Sequence, residues 1–412
     1  MVVRMCAGSK RGPFYFVIFM SIQIRDSIHG SIELSPEELQ LIAQPAFQRL
    51  RYIKQLGFAD LAFPGATHTR YSHSLGAMEM ATRLFDNLFK PGDLEVSFRK
   101  QIRQALRLAM LLHDLGHAPL SHTTEMCMPS KKSLGLLGAE ESRATHEDYT
   151  HLLITCSSFS KVIDDLFGSV DIAELNYQYA GLNYQPILKQ IISSECDADR
   201  MDYLQRDSVY CGVNYGKFDA DWLVSNLTAV EQEGALYLGI KSKAVFSFED
   251  FLLSRYHMFA SVYLHHTPVI FEKMLQRYFT ENPEAFEIPS DLEKYILLDD
   301  IEIYAHLRKS DNDWAKRIIH RKPYQLISDE LSLEEHQALC QKLDGQGIDF
   351  IESQSYSVIS KYAPYPIYVQ TKRAGIVPLE SYTELFKRYQ RPAQFNRIYV
   401  APNDTERARI LS

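Results

Sequence analysis

Apolar residues recur at helical spacing over much of the chain. The segment RQALRLAMLLHDLG (103–116) places apolar side chains at i, i+3, i+4 and i+7 from Ala105, which predicts a helix with one buried face. Gly116 is suited to end this helix, and Pro119 is suited to prevent its restart. We therefore expect His117 and His122 to lie on a loop after this helix.

Two further helix starts carry capping signals. Ser35 is a candidate N-cap followed by Pro36, and Glu38 closes a capping box. Thr145, followed by Asp148 three residues later, marks the second start. Apolar spacing predicts other helices at 74–88, 187–210 and 251–279, the last with a kink at Pro268.

Strand signals are fewer. ALYLGI (235–240) and AVFSFE (244–249), separated by a short polar link, predict a β-hairpin. Beyond about residue 290, shorter helices mix with strands such as YPIYVQ (365–370) and RIYVAP (397–402). The predicted fold is mostly α, with a helical core, a small β-hairpin and a smaller α+β lobe at the C-terminus. We place the core at 20–285 and the lobe at 286–412.

The first 19 residues are treated as an N-terminal extension. Basic residues precede the apolar run FYFVIFM (14–20), which resembles a short signal peptide, but the run is too short to span a bilayer and no small-residue cleavage site follows. We favour the alternative that residues 1–19 lie upstream of the natural start or are disordered, with Met20 opening the folded domain. No other segment resembles a transmembrane helix, so no membrane association is expected.

Composition narrows the function classes. The chain has 412 residues, 46% hydrophobic and 23% charged, with a net charge of −8. This balance argues against a general nucleic-acid binder, which needs a basic excess, but it leaves room for a local basic pocket that binds a small polyanion. None of the six cysteines is paired at C-x-x-C spacing, which favours a reduced, cytoplasmic protein over a zinc ribbon or a thioredoxin-like motif.

One stretch is unusually rich in histidine and aspartate for a segment that follows an apolar helix. LLHDLGHAPLSH (111–122) places three histidines and an aspartate at the end of an apolar helix. Such groups are costly to bury unless they satisfy one another or bind a cation. His73 and Asp199 are further candidates elsewhere in the chain. Imidazoles and carboxylates together suit a divalent ion such as iron, manganese or zinc.

These segments resemble a known family. RYSHSLG (70–76), LLHDLGHAPLSH and DADRMDYLQRD (197–207) reproduce the H…HD…D pattern of the HD-domain metal-dependent phosphohydrolases. With IRDSIHGSIELS (24–35) and PAFQRLRYIKQLG (45–57), they are most similar to the branch of deoxynucleoside triphosphate (dNTP) triphosphohydrolases that includes the animal SAM-and-HD-domain enzyme and bacterial dNTPases. The resemblance extends to about residue 280.

The resemblance implies a metal site and a reaction. The implied ligands of a divalent metal, with manganese, iron or magnesium favoured and zinc possible, are His73, His113, Asp114 and Asp199. Water would attack the α-phosphorus of a dNTP and release the deoxynucleoside and tripolyphosphate. His122 and Glu125 match the general acid and its acidic partner, while His117 and His146 match positions near the phosphates and the catalytic water.

The resemblance also implies residues that bind substrate. Arg70, Arg200 and Arg255 match the triphosphate-binding cations, although the animal enzyme has a lysine at the position of Arg200. The residues implied at the sugar are Gln55 and Asp207 at the 3′-hydroxyl, and Leu56, Tyr203 and Tyr263 around C2′.

The sequence does not decide which nucleotide would regulate the protein or which reaction it catalyses. Gln48 and Arg51 match part of a regulatory nucleotide site, but Ala43 replaces the acidic residue that reads guanine in regulated relatives. We expect a homo-oligomer, with a nucleotide as a possible activator. The alternatives are another HD phosphohydrolase, acting as a nuclease or on alarmones or cyclic nucleotides, and a nucleotide-binding protein without turnover.

Overall fold

The computed structural model describes residues 22–136, 142–168, 177–329, 331–357, 364–383 and 393–412. The predicted N-terminal extension lies outside these ranges. Helices dominate, as predicted, and none of those in the described ranges has the length and apolarity needed to cross a bilayer. The α-helices are α1 Pro36–Ile42, α2 Pro45–Gln48, α3 Arg70–Leu88, α4 Val96–Leu112, α5 His146–Cys156, α6 Ser158–Phe167, α7 Gln185–Ile192, α8 Ala198–Cys211, α9 Ala220–Ser225, α10 Val245–Met258, α11 His266–Glu281, α12 Leu292–Tyr295, α13 Asp300–Lys309, α14 Asp313–Ile319, α15 Leu333–Gly345, α16 Leu379–Tyr382 and α17 Thr405–Leu411.

Eleven strands form three small sheets within the described residues. The strands are β1 Ile22–Asp26, β2 Gly30–Leu34, β3 Gln178–Tyr179, β4 Leu182–Asn183, β5 Leu227–Gln232, β6 Ala235–Lys241, β7 Gln325–Ser328, β8 Phe350–Ser357, β9 Tyr368–Gln370, β10 Ile376–Pro378 and β11 Ala393–Val400. β1 and β2 pair alone, a second sheet has the order β10-β9-β6-β4-β3 with β5 also on β6, and a third has the order β7-β11-β8. Because β9 pairs with β6, segments on both sides of residue 285 share one sheet.

The predicted hairpin is wrong in its second strand. β6 contains the first predicted strand, but its antiparallel hairpin partner is the preceding strand β5. Glu233 and Gly234 form the turn with φ of 50° and 75°, the left-handed values that a two-residue hairpin turn requires. The segment 244–249 instead opens α10, because Val245, Phe248 and Leu252 recur at helical spacing and bury one face.

Two predicted long helices are each divided. Segment 187–210 forms α7 and α8, because Asp197 accepts a hydrogen bond from the backbone of Arg200 and begins a new helix. Segment 251–279 is interrupted by a π-helical turn at Phe259–Tyr263 and not at Pro268. Pro268 lies in the first turn of α11, where its missing N–H breaks no helical hydrogen bond.

Helix α3 lies at the centre of the fold. It packs against α4 and α8, and its apolar residues join the largest hydrophobic cluster. The prediction placed the start of α3 at residue 74, but the helix begins four residues earlier, at Arg70. The predicted caps of α1 and α5 are confirmed, with complete capping boxes at Ser35 and Thr145. Because α3 packs against both α4 and α8, the start of α3, the end of α4 and the start of α8 lie close together.

Candidate active site

The four predicted metal ligands come from these helix ends. His73 lies in the first turn of α3, His113 caps the C-terminus of α4 with Asp114 after it, and Asp199 lies in the first turn of α8. His73 Nε2 lies 3.3 Å from His113 Nε2 and 3.0 Å from Asp199 Oδ1. Asp114 Oδ1 is 3.3 Å from His113 Nε2. The structure thus brings together residues up to 126 positions apart (73 to 199).

The donor set fits a divalent cation. Ligand atoms held about 2.1 Å from one ion lie about 3.0–3.5 Å from one another, which matches the three separations given above. His73, His113 and Asp114 form the compact group of donors, and Asp199 approaches this group through its contacts to the two histidines. Two imidazole nitrogens and two carboxylates suit manganese, iron or zinc. The side chains of His113 and Asp199 are 21% and 33% exposed, so the cluster is open to solvent on one side.

Electrostatics show how strongly the carboxylates act on the histidines. Burial lowers the pKa of His73, but the carboxylates of Asp199 and Asp202 outweigh it and raise the pKa to about 10. Burial likewise opposes ionisation of Asp114, yet Arg70 and His113 hold its pKa well below the ordinary value. The cluster therefore attracts positive charge, either protons or a metal ion.

Asp202 fixes the orientation of His73. Its carboxylate is fully buried and lies 2.7 Å from His73 Nδ1, which leaves Nε2 facing the other ligands. It also lies 2.7 Å from His29 Nε2 and accepts two hydrogen bonds from Arg206 at 2.8 Å. A carboxylate behind a ligating imidazole sets the tautomer and increases ligand basicity. Gly76 permits this approach, since a Cβ there would lie 2.0 Å from Asp202 Oδ1.

A second cluster adjoins the first across the loop after α4. It contains the four predicted catalytic residues His117, His122, Glu125 and His146, whose donor atoms lie within 4.8 Å of one another. Glu125 Oε1 contacts Nδ1 of both His122, at 3.1 Å, and His146. Burial raises the pKa of Glu125, but the two histidines outweigh it and hold the pKa well below its ordinary value. Glu125 is therefore a carboxylate that orients two imidazoles.

His117 connects the two clusters. Its Nε2 lies 3.2 Å from Asp114 Oδ1, and its ring stacks on His146 with centroids 3.9 Å apart. Burial and the nearby Arg70 guanidinium hold the pKa of His117 well below its ordinary value, so the ring is neutral. With Nε2–H donating to Asp114, Nδ1 keeps an open lone pair; it is buried and has no hydrogen-bond partner among the described residues.

His117 lies on a loop, as predicted, but His122 lies on a 3₁₀-helical turn at Ser121–Cys127, where a loop was predicted. The loop between α4 and this turn is held by contacts from other parts of the chain. Leu120 and Ser121 have φ of 55° and 56°, a conformation that side chains other than glycine rarely adopt. Asp300, on α13, accepts a hydrogen bond from the Leu120 backbone at 2.7 Å, and buried Arg49 donates to the His117 carbonyl at 2.6 Å. Contacts from outside the loop therefore maintain its strained shape.

Each predicted phosphate-binding arginine already has an acidic partner. Arg70 pairs with Asp114 at 2.6 Å and donates to Ser121, while Arg255 pairs with Glu195 at 3.0 Å. Arg200 pairs with Asp197 three residues before it. Each guanidinium has five N–H groups, so these pairs reduce but do not exhaust its capacity to donate.

Two of the predicted sugar-binding residues, Tyr203 and Asp207, lie on α8 beyond its first turn. Asp207 is buried and accepts a hydrogen bond from Tyr263 Oη at 2.6 Å, while its other oxygen lies 2.7 Å from His68 Nε2. The rings of Tyr203 and Tyr263 meet edge to face at 6.2 Å. Leu56 is half-buried against the same core as both rings, and Gln55 Oε1 is buried with no hydrogen-bond partner among the described residues.

The predicted regulatory residues lie together on the surface. Arg51 Nε donates to Gln48 Oε1 at 2.8 Å, and its guanidinium lies 3.6 Å from the centre of the Tyr71 ring. Arg51 also borders a surface cavity of about 570 Å³, with Lys54, Arg308 and Arg321 among the other residues that line it.

Comparison with known proteins identifies the family of this chain. The HD domain profile matches residues 70–207, and the profile of the HD associated region matches residues 218–328. The uncharacterized protein YwfO of Bacillus subtilis is 32% identical over 74% of this chain and 71% of its own length. The chain belongs to the HD-domain phosphohydrolase family. Its first imidazole–carboxylate cluster therefore fits the divalent-metal site of an HD domain.

Two further relatives extend the comparison. Human deoxynucleoside triphosphate triphosphohydrolase SAMHD1 is 31% identical over 73% of this chain and 51% of its own length. A crystal structure of a hypothetical protein from Aquifex aeolicus has a TM-score of 0.78 at 29% identity, covering 95% of this chain and 100% of that one. The chain thus spans about half the length of SAMHD1.

Several HD-site residues had no functional signal in the sequence. Asp300 and Arg49 act through contacts that only the fold creates, and His68 reaches Asp207 across 139 positions. The acidic partner of Arg200 is local, since Asp197 lies three residues before it, but the partner of Arg255, Glu195, is 60 positions away.

Proposed function

We propose that this HD-domain protein hydrolyses deoxynucleoside triphosphates to the deoxynucleoside and tripolyphosphate, with water attacking the α-phosphorus. The observation that carries the proposal is the contact between the two clusters through His117. This contact supports the proposal because it joins the candidate cation site to a carboxylate-held histidine pair, and phosphoester hydrolysis needs both parts. The likeness to SAMHD1 supports dNTPs as the substrate class.

A divalent ion held by His73, His113, Asp114 and Asp199 would polarise a phosphate oxygen and stabilise its developing negative charge. Manganese, iron and magnesium are the ions we expect, with zinc as a further candidate. Asp202 fixes His73 in the tautomer that such binding requires.

His122 is the proposed general acid. Its Nδ1 faces Glu125, so Nε2 is directed away from the carboxylate, and its side chain is 67% exposed at the mouth of the cluster. The P–O5′ bond breaks as the water oxygen bonds to the α-phosphorus, and His122 supplies the proton that the 5′-oxygen needs to leave. Glu125 holds His122 and His146 in place for this transfer.

His117 is suited to position the attacking water. In its neutral form, with Nε2–H on Asp114, its buried Nδ1 can accept a hydrogen bond but cannot donate one to a phosphate oxygen. We therefore assign His117 to the water and His146 to the phosphate side of the cluster.

The arginines and tyrosines would define substrate binding. Arg70, Arg200 and Arg255 can share their remaining N–H groups with the triphosphate while keeping their carboxylate partners. Gln55 Oε1, which is buried without a described partner, is suited to accept from the 3′-hydroxyl. Leu56, Tyr203 and Tyr263 would leave no room for a 2′-hydroxyl.

Regulation is part of the proposal. We expect a homo-oligomer and an activating nucleotide that uses Gln48 and Arg51, which lie together beside a cavity with several basic side chains. Because Ala43 offers no acceptor for a guanine edge, GTP should activate no better than other nucleotides. Strict dependence of activity on GTP would contradict this part of the proposal.

Product identity distinguishes the candidate reactions. Purified protein is incubated with each dNTP and each rNTP in the presence of Mn²⁺ or Mg²⁺, and the phosphate products are separated. Tripolyphosphate from dNTPs alone is the expected result. Pyrophosphate or monophosphate products, or equal turnover of GTP and dGTP, would favour another HD phosphohydrolase activity, and no product under any condition would contradict the proposed reaction.

A further inference from the structure

A third group of potential metal ligands lies near the C-terminus, on elements that contribute nothing to the HD site. His336 and Cys340 lie one turn apart on α15, and Glu352 lies on β8. Cys340 Sγ is 3.9 Å from His336 Nδ1 and 3.9 Å from Glu352 Oε2. The three donor atoms all lie within 4.8 Å of one another.

The scaffold behind these side chains is regular. A capping box between Ser332 and Glu335 fixes the start of α15, and Leu339 and Leu343 on the same helix are buried against β11. β8 pairs with β11 along its length, with Glu352 opposite Ile398. The donors therefore lie on α15 and β8, two regular elements that both contact β11.

Burial makes the histidine unusual. His336 is 1% exposed, its Nε2 has no hydrogen-bond partner among the described residues, and its Nδ1 has only the long contact to sulfur. Burying a polar group without good partners destabilises the folded state. A cation bound at Nδ1 would give the ring the strong interaction that it lacks.

We propose that His336 Nδ1, Cys340 Sγ and Glu352 Oε2 form a binding site for a zinc-class transition-metal ion, distinct from the HD centre. With metal–sulfur and metal–nitrogen distances of about 2.3 and 2.1 Å, tetrahedral ligands lie about 3.5 Å apart, so the two contacts to Cys340 Sγ need to shorten by only a few tenths of an ångström. Binding releases the Cys340 thiol proton to solvent and involves no redox change. The exposed side at Glu352 leaves a fourth position for water.

The thiolate determines which ion the site prefers. Sulfur ligands favour zinc, cobalt and similar ions over magnesium and manganese. The described HD-site ligands are imidazoles and carboxylates, so they offer no sulfur. A bound ion would connect α15 to β8, and its effect on the protein would therefore be structural.

Cobalt(II) separates this site from the HD site. The full-length chain, freed of metal under reducing conditions, is titrated with Co²⁺ alone, and a thiolate-to-cobalt charge-transfer band in the near ultraviolet is recorded. We expect one equivalent of ion to produce this band in the unmodified protein. Cys340→Ser should abolish it, whereas Cys156→Ser, which removes an exposed thiol on α5, should leave it unchanged.

A second variant keeps the test valid if Cys340→Ser folds poorly. Glu352→Gln removes one charged donor from the exposed side of the site and should weaken Co²⁺ binding, measured from the same band, by at least about tenfold. Zn²⁺ should also raise the unfolding temperature of the unmodified protein more than that of Cys340→Ser. Absence of the band in the unmodified protein, its persistence in Cys340→Ser, or equal affinity in Glu352→Gln would each overturn the proposal.

Discussion

Replacing Asp202 with asparagine tests whether this carboxylate supports the metal site from behind. Asp202 is fully buried, and it interacts with His73 and His29 at 2.7 Å and accepts two hydrogen bonds from Arg206 at 2.8 Å. Loss of one partner of a buried charge pair typically costs about 3–5 kcal/mol. Because Asp26 still pairs with Arg206, we expect a loss of about 3 kcal/mol in the free energy of unfolding.

The same substitution should weaken metal binding. Loss of the carboxylate behind a ligating histidine typically lowers metal affinity about 10–100-fold, which corresponds to about 1.4–2.8 kcal/mol. Mn²⁺ titration calorimetry measures the affinity, and guanidinium unfolding measures the stability. The other carboxylate on Arg206 provides the matched control, since Asp26→Asn removes a charge partner of Arg206 without touching His73. Equal Mn²⁺ affinity in the two variants would refute the assigned role of Asp202.

Substitutions at four other positions test the metal site, the general acid, the selection of the sugar and the effect of a buried carboxyl group on stability. Asp114→Ala should remove bound metal and reduce hydrolysis to background, so full metal occupancy by elemental analysis would contradict its assignment. His122→Ala should lower kcat about 10²–10⁴-fold with KM within a few-fold and metal content unchanged, because proton donation contributes only in the transition state; a large rise in KM with kcat intact would make it a binding residue. Tyr263→Ala should raise rNTP turnover relative to dNTP turnover by about tenfold or more, measured as the ratio of kcat/KM values, whereas Tyr263→Phe keeps the ring and should preserve discrimination. Burial raises the pKa of Glu272 to about 7 from 4.5, so the folded state binds more protons and stability falls as pH rises between these values; Glu272→Gln should therefore increase the free energy of unfolding by about 1–3 kcal/mol at pH 8 relative to its effect at pH 4, and a pH-independent effect would contradict this.

The features of the fold that depend on residues close together in the sequence were predicted correctly. The caps at Ser35 and Thr145 and the apolar face of α4 follow from side chains within a few positions, and all three are confirmed. The hairpin prediction failed because the apolar residues of 244–249 fit either a strand or a buried helix, and only tertiary packing decided between them. The interruption before α11 likewise has no local signal as strong as Pro268.

Some parts of the candidate site could likewise be predicted from sequence motifs, whereas others depend on tertiary packing. The metal-ligand candidates could be named because the H…HD…D pattern resembles a family, and the structure brings them within hydrogen-bonding range of one another. The contact from Asp300 to Leu120 joins residues 180 positions apart and depends on where α13 packs. The acidic partners of the arginines also escaped prediction, because charge in a sequence does not show which groups meet.

The fate of water oxygen tests the central claim most directly. Hydrolysis of a dNTP in H₂¹⁸O, followed by mass spectrometry of both products, reports which bond is cleaved and where water attacks. Attack at the α-phosphorus with departure of the 5′-oxygen predicts one ¹⁸O atom in the tripolyphosphate and none in the deoxynucleoside. Label in the 5′-hydroxyl of the deoxynucleoside, or formation of a nucleoside monophosphate with pyrophosphate, would contradict the proposed reaction.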